Sequence, residues 1–315
     1  MEPIQSFECM NACIVNHLNQ AGIKVSGSDL FFAGCGYPIH YKKGSLTRIA
    51  SEGFDANFRF LDQYKLAYQF GRVPPTKETL LGFLVRSESI TIRMVSDFLT
   101  YDPVYSQTSG ASHFINVLAY EKQEKKFFIV DGDVPSAQTG CYSGWVDETD
   151  LVGGWTVQCG EILRLHIPEN LKHTDFSRRV REEANRQAVN AVQQYLNGKN
   201  SRFSSRVTGE KACICMLQDL EKYVQKKEYR ELTRDANFRL RINGYMGAKK
   251  FLLEKFREQG RTELAESYEK IIEGWSRWHM LLLKSGLVPT MKNFELVKKR
   301  MEELVKQERT ILLEY

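Results

Sequence analysis

Apolar residues recur at different spacings along the chain, and the spacings predict different secondary structure. Residues 9–21 place Ala12, Val15 and Leu18 on one stripe, which is typical of an amphipathic helix that ends before Gly22. Residues 76–87 show helical spacing as well. Short runs rich in Ile, Val and Phe predict strands at 90–99, 112–120, 126–133 and 161–168. The first half is therefore predicted to mix helices and strands.

From about residue 174 the pattern becomes helical throughout. Apolar residues repeat at helical spacing in the segments 176–197, 209–227, 245–260, 262–286 and 293–313. We expect a domain boundary near Pro168, with an α+β domain at 1–168 and an all-α domain of five or six helices at 169–315. Residues 26–44 contain too many glycines for regular structure, so a loop that walls a pocket is expected there.

Composition narrows the class of protein. The 315 residues are 42% hydrophobic and 26% charged, which is typical of a globular chain. No apolar run approaches the roughly 18 residues of a membrane helix, and the N-terminus does not resemble a secretory signal, so we expect a cytoplasmic protein that binds no membrane. The 7 cysteines include no CxxC pair, which disfavours a disulfide framework and a zinc site. No metal is expected.

Charge is distributed unevenly along the chain. Residues 1–167 carry a formal charge of −4 and residues 168–315 carry +9, which together give the net +5. A basic half can attract an acidic partner, although a set of solvated helix faces explains it equally simply. None of the standard nucleic-acid-binding motifs accompanies these charges, so nucleic acid is not an expected partner.

Cys9 is the first candidate for chemistry. Ser6 is the predicted N-cap, which places Cys9 in the first helical turn, where free backbone N–H groups and the helix dipole stabilise a thiolate. Such a position lowers a cysteine pKa and raises its reactivity. Cys13 lies one turn deeper, where this effect has faded, and is expected in the core.

A nucleophilic cysteine needs a base and a group that orients the base. His113 opens the predicted strand 112–120, and Asp131 lies near the end of the next one. Two antiparallel neighbours can place the start of one strand beside the end of the other, so the hairpin could supply both groups. Cys9, His113 and Asp131 thus form a candidate catalytic set.

The order of these residues resembles papain-like cysteine enzymes and, more narrowly, the family of butirosin biosynthesis protein H. The likeness covers essentially the whole chain, including the helical second half. It rests on the cysteine-headed first helix and on the segments "FAGCGY" (32–37), "SDFLTYDPVY" (96–105), "HFINVLAY" (113–120) and "VDGD" (130–133).

The resemblance implies an acyltransferase of antibiotic-type natural-product biosynthesis. Such an enzyme takes an acyl group from a carrier-protein thioester and passes it to an amine. Carried over, Cys9 would be the nucleophile, His113 the general base and acid, and Asp131 the orienting acid. Asp133 is the alternative orienting acid; we expect the two acids to face opposite sides of the strand, so that only one of them can serve. Gln5 is a candidate oxyanion donor, with the Cys9 backbone N–H as the alternative.

The expected partners are an acidic acyl carrier protein and a small-molecule amine. The basic segments 234–241 and 247–257 are the first places to look for carrier docking. No cofactor is expected beyond the phosphopantetheine arm of the carrier, and a dimer is compatible with the helical domain. If water replaced the amine as the acceptor, the protein would be a thioesterase. If a peptide or amide replaced the thioester as the acyl donor, it would be a peptidase or amidase. A catalytically silent papain-like binding module is the alternative of another class.

Overall fold

The computed structural model describes residues 2–46, 48–86, 89–106, 110–198, 205–242 and 244–315, and it is an α+β structure. The elements up to residue 166 are α1 (Cys9–Gln20), α2 (Gly27–Ala33), β1 (His40–Lys42), β2 (Ile49–Ala50), α3 (Gly53–Gln63), β3 (Ala67–Arg72), α4 (Lys77–Leu84), β4 (Ile90–Val95), α5 (Pro103–Ser106), β5 (Ser112–Glu121), β6 (Lys126–Asp131), β7 (Tyr142–Asp147), α6 (Glu148–Val157) and β8 (Glu161–His166).

The remaining elements are mostly helical, as the apolar spacing predicts. They are α7 (Phe176–Leu196), β9 (Arg206–Thr208), α8 (Lys211–Glu221), α9 (Tyr229–Ile242), α10 (Tyr245–Glu258), α11 (Thr262–Leu287) and α12 (Met291–Leu312). Within the described ranges, no helix combines the length and apolarity that a bilayer crossing requires.

The chain forms two compact units, each built from two segments. The first comprises Met1–Leu30 and Asn57–Arg181, and the second comprises Phe31–Ala56 and Glu182–Tyr315. This division differs from the single boundary near Pro168 that the apolar pattern predicts. Residues 31–56 belong to the second unit because β1 pairs with β9 and because the Phe31 ring stacks on Phe251 with centroids 4.3 Å apart. Such long-range pairing leaves no mark in local spacing.

The first unit is organised around an antiparallel sheet of order β3-β8-β4-β5-β6-β7. Side chains of the central strands β4, β5 and β6 point alternately to the two faces of the sheet, and both faces are buried there. Ile92 and Ile115 pack in a core with Leu151 and Trp155 of α6. Thr91 and Asn116, which lie between core positions on β4 and β5, instead bond to α1. The helix that bears Cys9 therefore covers the face opposite α6.

The second unit contains a small sheet of order β2-β1-β9 and the helices that follow it. The Glu308 carboxylate of α12 is fully buried and accepts hydrogen bonds from Lys249 of α10 at 2.6 Å and from Tyr268 of α11 at 2.8 Å. Tyr195 and Trp275 donate to its other oxygen. The buried Glu308 carboxylate thus joins α12 to three other helices, α7, α10 and α11.

One local expectation was wrong, and two elements were not predicted. The glycine-rich segment 26–44 contains helix α2 and strand β1 instead of a continuous loop. Tyr37, Pro38 and Ile39 from this segment do line a cavity of about 540 Å³ in the second unit. Strand β7 and helix α6 had no counterpart in the sequence prediction, because apolar and polar residues do not alternate in the β7 sequence YSGWVD and because α6 contains two adjacent glycines.

Candidate active site

Cys9 is the first residue of helix α1, as expected, but the residue that caps the helix differs. Glu8 is the N-cap, and its carboxylate accepts hydrogen bonds from the backbone N–H groups of Met10 (3.1 Å) and Asn11 (2.7 Å). Ser6, the cap predicted from the sequence, instead donates to the Asn11 side chain. The longer glutamate side chain folds back from the position directly before the helix, so the cap lies two residues later than predicted.

Helix α1 is held in place by side-chain amides. Asn16 accepts from the backbone N–H of Ile4 at 2.9 Å and donates to its carbonyl at 3.0 Å. Asn116 of β5 donates to the carbonyl of Cys13 at 3.0 Å. Because these polar groups are buried, they must form hydrogen bonds, and these bonds fix the position of α1 on the sheet. Cys13 itself is 2% exposed, which confirms that it belongs to the core.

The hairpin brings His113 and Asp131 together. His113 is the second residue of β5, Asp131 is the last residue of β6, and the two strands are antiparallel neighbours. His113 Nε2 lies 2.8 Å from Asp131 Oδ2, and both side chains are buried. The structure therefore pairs His113 with Asp131, the acid preferred from the sequence. This bond leaves Nδ1 as the second nitrogen of the ring.

Two tyrosines that the sequence prediction did not select complete the surroundings of His113. Tyr101 donates its hydroxyl to the same Asp131 Oδ2 at 2.7 Å, and its ring stacks on Tyr142. Tyr105 packs its ring against His113, and its hydroxyl donates to the backbone carbonyl of Asp133. Both lie in "SDFLTYDPVY", where a polar aromatic pair before the histidine was the available signal.

Cys9 and Asp133 lie beside the pair formed by His113 and Asp131. Cys9 Sγ, a His113 ring nitrogen and an Asp133 carboxylate oxygen all lie within 4.8 Å of one another. The expectation that Asp133 faces away from His113 was wrong, because side chains two residues apart along an extended segment point to the same side. The same spacing would let one metal ion contact all three residues, so the expectation of a metal-free site stays a prediction.

The electrostatics of Cys9 differ from those expected at a helix front. Burial raises the pKa of the Cys9 thiol, His113 opposes this rise, and the Glu8 carboxylate adds to it. Burial alone would lower the pKa of His113, but the charge and hydrogen bond of Asp131, together with the interaction with Cys9, outweigh burial, so this pKa lies well above its usual range. The expected lowering of the Cys9 pKa is therefore not found, because burial raises this pKa and the Glu8 carboxylate at the helix front adds to the rise. The imidazolium of His113 is the group that favours a thiolate.

The two oxyanion candidates have different surroundings. Gln5 is exposed, and its side-chain amide lies so close to Gly140 that a methyl group there would collide with it. Among the described residues, the backbone N–H of Cys9 makes no hydrogen bond. As the first N–H of α1, it has no carbonyl partner within the helix. The Cys9 N–H thus has the capacity to bind an oxyanion, and the role of Gln5 stays a prediction.

The basic segment 247–257 offers fewer exposed cations for docking than its sequence suggests. Lys249 and Lys255 of α10 are buried, and they pair with Glu308 and Glu258. Two of the cations in segment 247–257 therefore serve the interior of the second unit. Docking of a carrier protein stays a prediction.

Comparison with known proteins does not identify a family for this chain. The chain matches no protein-family model and no curated protein.

Proposed function

We propose that the protein is a papain-like, cysteine-dependent acyltransferase that moves an acyl group from a carrier-protein thioester to an amine. The observation that carries the proposal is the convergence of Cys9, at the first position of α1, with the His113–Asp131 pair, whose bond is 2.8 Å. A thiol next to an imidazole that a carboxylate orients is the arrangement of nucleophilic cysteine catalysis. The resemblance to the butirosin biosynthesis protein H family supports a carrier-bound donor.

In the first half-reaction the Cys9 thiolate, paired with the His113 imidazolium, attacks the thioester carbon. The Cys9 backbone N–H donates to the oxyanion that forms. The intermediate then collapses and breaks the bond to the carrier sulfur, which takes the proton from His113. The acyl group is now on Cys9, and His113 is neutral.

In the second half-reaction an amine attacks the thioester on Cys9. His113 takes a proton from the attacking nitrogen, the Cys9 thiolate leaves, and the products are an amide and a restored thiolate–imidazolium pair. Asp131 keeps the His113 ring oriented throughout and stabilises the imidazolium. Tyr101, which bonds the same carboxylate oxygen, holds Asp131 in turn.

Hydrolytic alternatives use the same residues. Attack by water on the acyl-cysteine would make the protein a thioesterase, and attack of Cys9 on an amide would make it a peptidase or amidase. A catalytically silent binding module is the alternative outside catalysis. The buried His113–Asp131 pair supports catalysis over silence, because it places an oriented base beside Cys9.

The proposal is tested by a covalent adduct. The protein is incubated with carrier proteins that bear different acyl thioesters, in a buffer with a metal chelator, and the intact mass is measured. We expect one acyl group on the wild type and on Cys13→Ala, and none on Cys9→Ala. Cys159→Ser controls for labelling of an exposed thiol.

The outcomes separate the alternatives. Loss of the adduct when an amine is added, with an amide as product, supports acyl transfer. Release only to water points to a thioesterase. Absence of an adduct with every thioester, together with cleavage of a peptide, would refute the proposal in favour of a peptidase. Absence of both would leave the binding module.

A further inference from the structure

Asp133 has a charged side chain at the nucleophile that the triad does not use. The orientation of His113 is provided by Asp131, whose second oxygen accepts from the backbone N–H of Asp133 at 3.0 Å. The carbonyl of Asp133 accepts from the Tyr105 hydroxyl. The backbone of Asp133 is thus fixed on both sides, and this holds its carboxylate within 4.8 Å of Cys9 Sγ and of a His113 ring nitrogen.

The other carboxylate near Cys9 has a structural explanation. Glu8 accepts hydrogen bonds from two helix N–H groups and from Asn57 at 2.8 Å, which is the work of a helix cap. Asp133 is only partly buried, so a group that enters the site can reach it. Its charge works against the Cys9 thiolate, because it adds to the rise in the pKa of the thiol. A cationic nucleophile that enters beside Cys9 would be attracted by this negative charge.

We propose that Asp133 binds the ammonium group of the acceptor beside the acylated Cys9, and so selects cationic amines over water and uncharged nucleophiles. This inference rests on the proposed acyltransferase function. A nitrogen hydrogen-bonded to a carboxylate about 3 Å away would still be within about 3–3.5 Å of the thioester carbon, which is the range for attack. The separation between the Asp133 oxygen and Cys9 Sγ fits this arrangement.

Asp133 also acts as a proton acceptor in this reaction. An ammonium ion must lose one proton before its nitrogen can attack, and the Asp133 carboxylate accepts this proton and passes it to water. His113 takes the other proton, which leaves the nitrogen as the amide bond forms. The Cys9–acyl bond breaks, and the thiolate remains paired with the His113 imidazolium. One proton is released to solvent for each amide formed from an ammonium ion.

The test compares how acylated Cys9 is discharged by three nucleophiles. The wild type and Asp133→Asn are acylated with a small pantetheine thioester, and loss of the adduct is followed by mass with water, hydroxylamine or putrescine. Hydroxylamine is uncharged near neutral pH, whereas putrescine is cationic. We expect Asp133→Asn to slow discharge by putrescine roughly 10- to 100-fold, as the loss of a charged hydrogen bond does, and to change the other two rates less than about twofold.

Two further variants keep the result interpretable. Asp133→Glu retains the charge and should retain most of the preference for putrescine. Asp147→Asn removes an exposed carboxylate at the end of β7 and should leave all three rates unchanged. Equal slowing with hydroxylamine and putrescine, or no slowing at all, would overturn the role of Asp133 and leave the acyltransferase intact. A wild type that forms no adduct on Cys9 would refute the proposed function and this role with it.

Discussion

At the residue scale, the reactivity of Cys9 depends on His113 more than on the helix to which it belongs. Burial and the neighbouring carboxylates disfavour its thiolate, and His113 acts in the opposite direction. The imidazolium of His113 depends in turn on the charge of Asp131. An isolated thiol in this position would therefore be inert near neutral pH, and the complete set of three residues is needed for a nucleophile.

His17 shows the opposite behaviour, because burial without a carboxylate partner lowers its pKa to about 4. Its ring nitrogens contact the hydroxyl groups of Thr91 at 3.0 Å and Ser89 at 2.5 Å. Between pH 6.5 and about 4 the unfolded chain binds a proton at this site that the folded chain does not. Folding stability therefore falls as the pH falls through this range, by about 3 kcal/mol from this residue alone.

The contribution of His17 can be measured directly. The free energy of unfolding is determined by urea titration at several pH values between 6.5 and about 4 for the wild type and for His17→Gln. The variant is expected to lose less stability across the range than the wild type. Parallel curves for the two proteins would contradict the assignment.

At the element scale, the site depends on the close approach of α1 and the turn after β6. Gly132 lies between Asp131 and Asp133, and its carbonyl accepts from the backbone N–H of Ser6 at 2.8 Å. A methyl group at this position would collide with the carbonyl of Ile4 and lie 3.1 Å from the Ala12 side chain. The distance between Cys9 and the His113–Asp131 pair is thus set by a contact that only glycine permits.

We predict that Gly132→Ala pushes α1 away from β6. Overpacking of this kind costs about 1–3 kcal/mol of stability, and acylation of Cys9 should fall more than tenfold because displacement of about 1 Å disrupts the reacting geometry. Adduct formation by mass and urea unfolding measure the two effects. Gly82→Ala, at an exposed position of α4 where a methyl group meets no described atom within 4 Å, is the control. Unchanged acylation in Gly132→Ala would contradict this prediction.

Helices α10, α11 and α12 depend on one buried carboxylate. Glu308→Gln removes the charge that compensates Lys249, while the amide keeps nearly the same volume. An uncompensated buried charge costs about 3–5 kcal/mol. The free energy of unfolding, followed by far-ultraviolet circular dichroism, should therefore fall by that amount. Glu303→Gln, which removes a partly exposed partner of Arg300 on the same helix, should change the free energy of unfolding by less than about 1 kcal/mol.

At the scale of the whole molecule, the positive charge of residues 168–315 predicts how the proposed carrier would bind. Acylation of Cys9 by a carrier-bound thioester should slow roughly tenfold when salt rises from about 0.1 M to about 1 M, because salt screens attraction between opposite charges. Acylation by the small pantetheine thioester should change much less over the same range. Equal salt effects on the two donors would show that carrier docking does not rely on charge.

The chain itself determined most of the helices, four strands of the main sheet and the order Cys9, His113, Asp131. These follow from short-range properties: apolar spacing, β-branched content and the position of a residue relative to an element's end. The pairing of His113 with Asp131 was predictable as well, because one hairpin connects β5 and β6.

Tertiary structure decided what depends on contacts between distant residues. It made Glu8 the helix cap, put Tyr101 and Tyr105 around His113, brought Asp133 to Cys9 and assigned residues 31–56 to the second unit. It also reversed the expected pKa shift of Cys9, since burial and neighbouring charges outweigh the helix front. The local spacing of apolar residues predicts which helices and strands form. Burial and charge at a site are set only when those elements pack, because both depend on residues far apart in the chain.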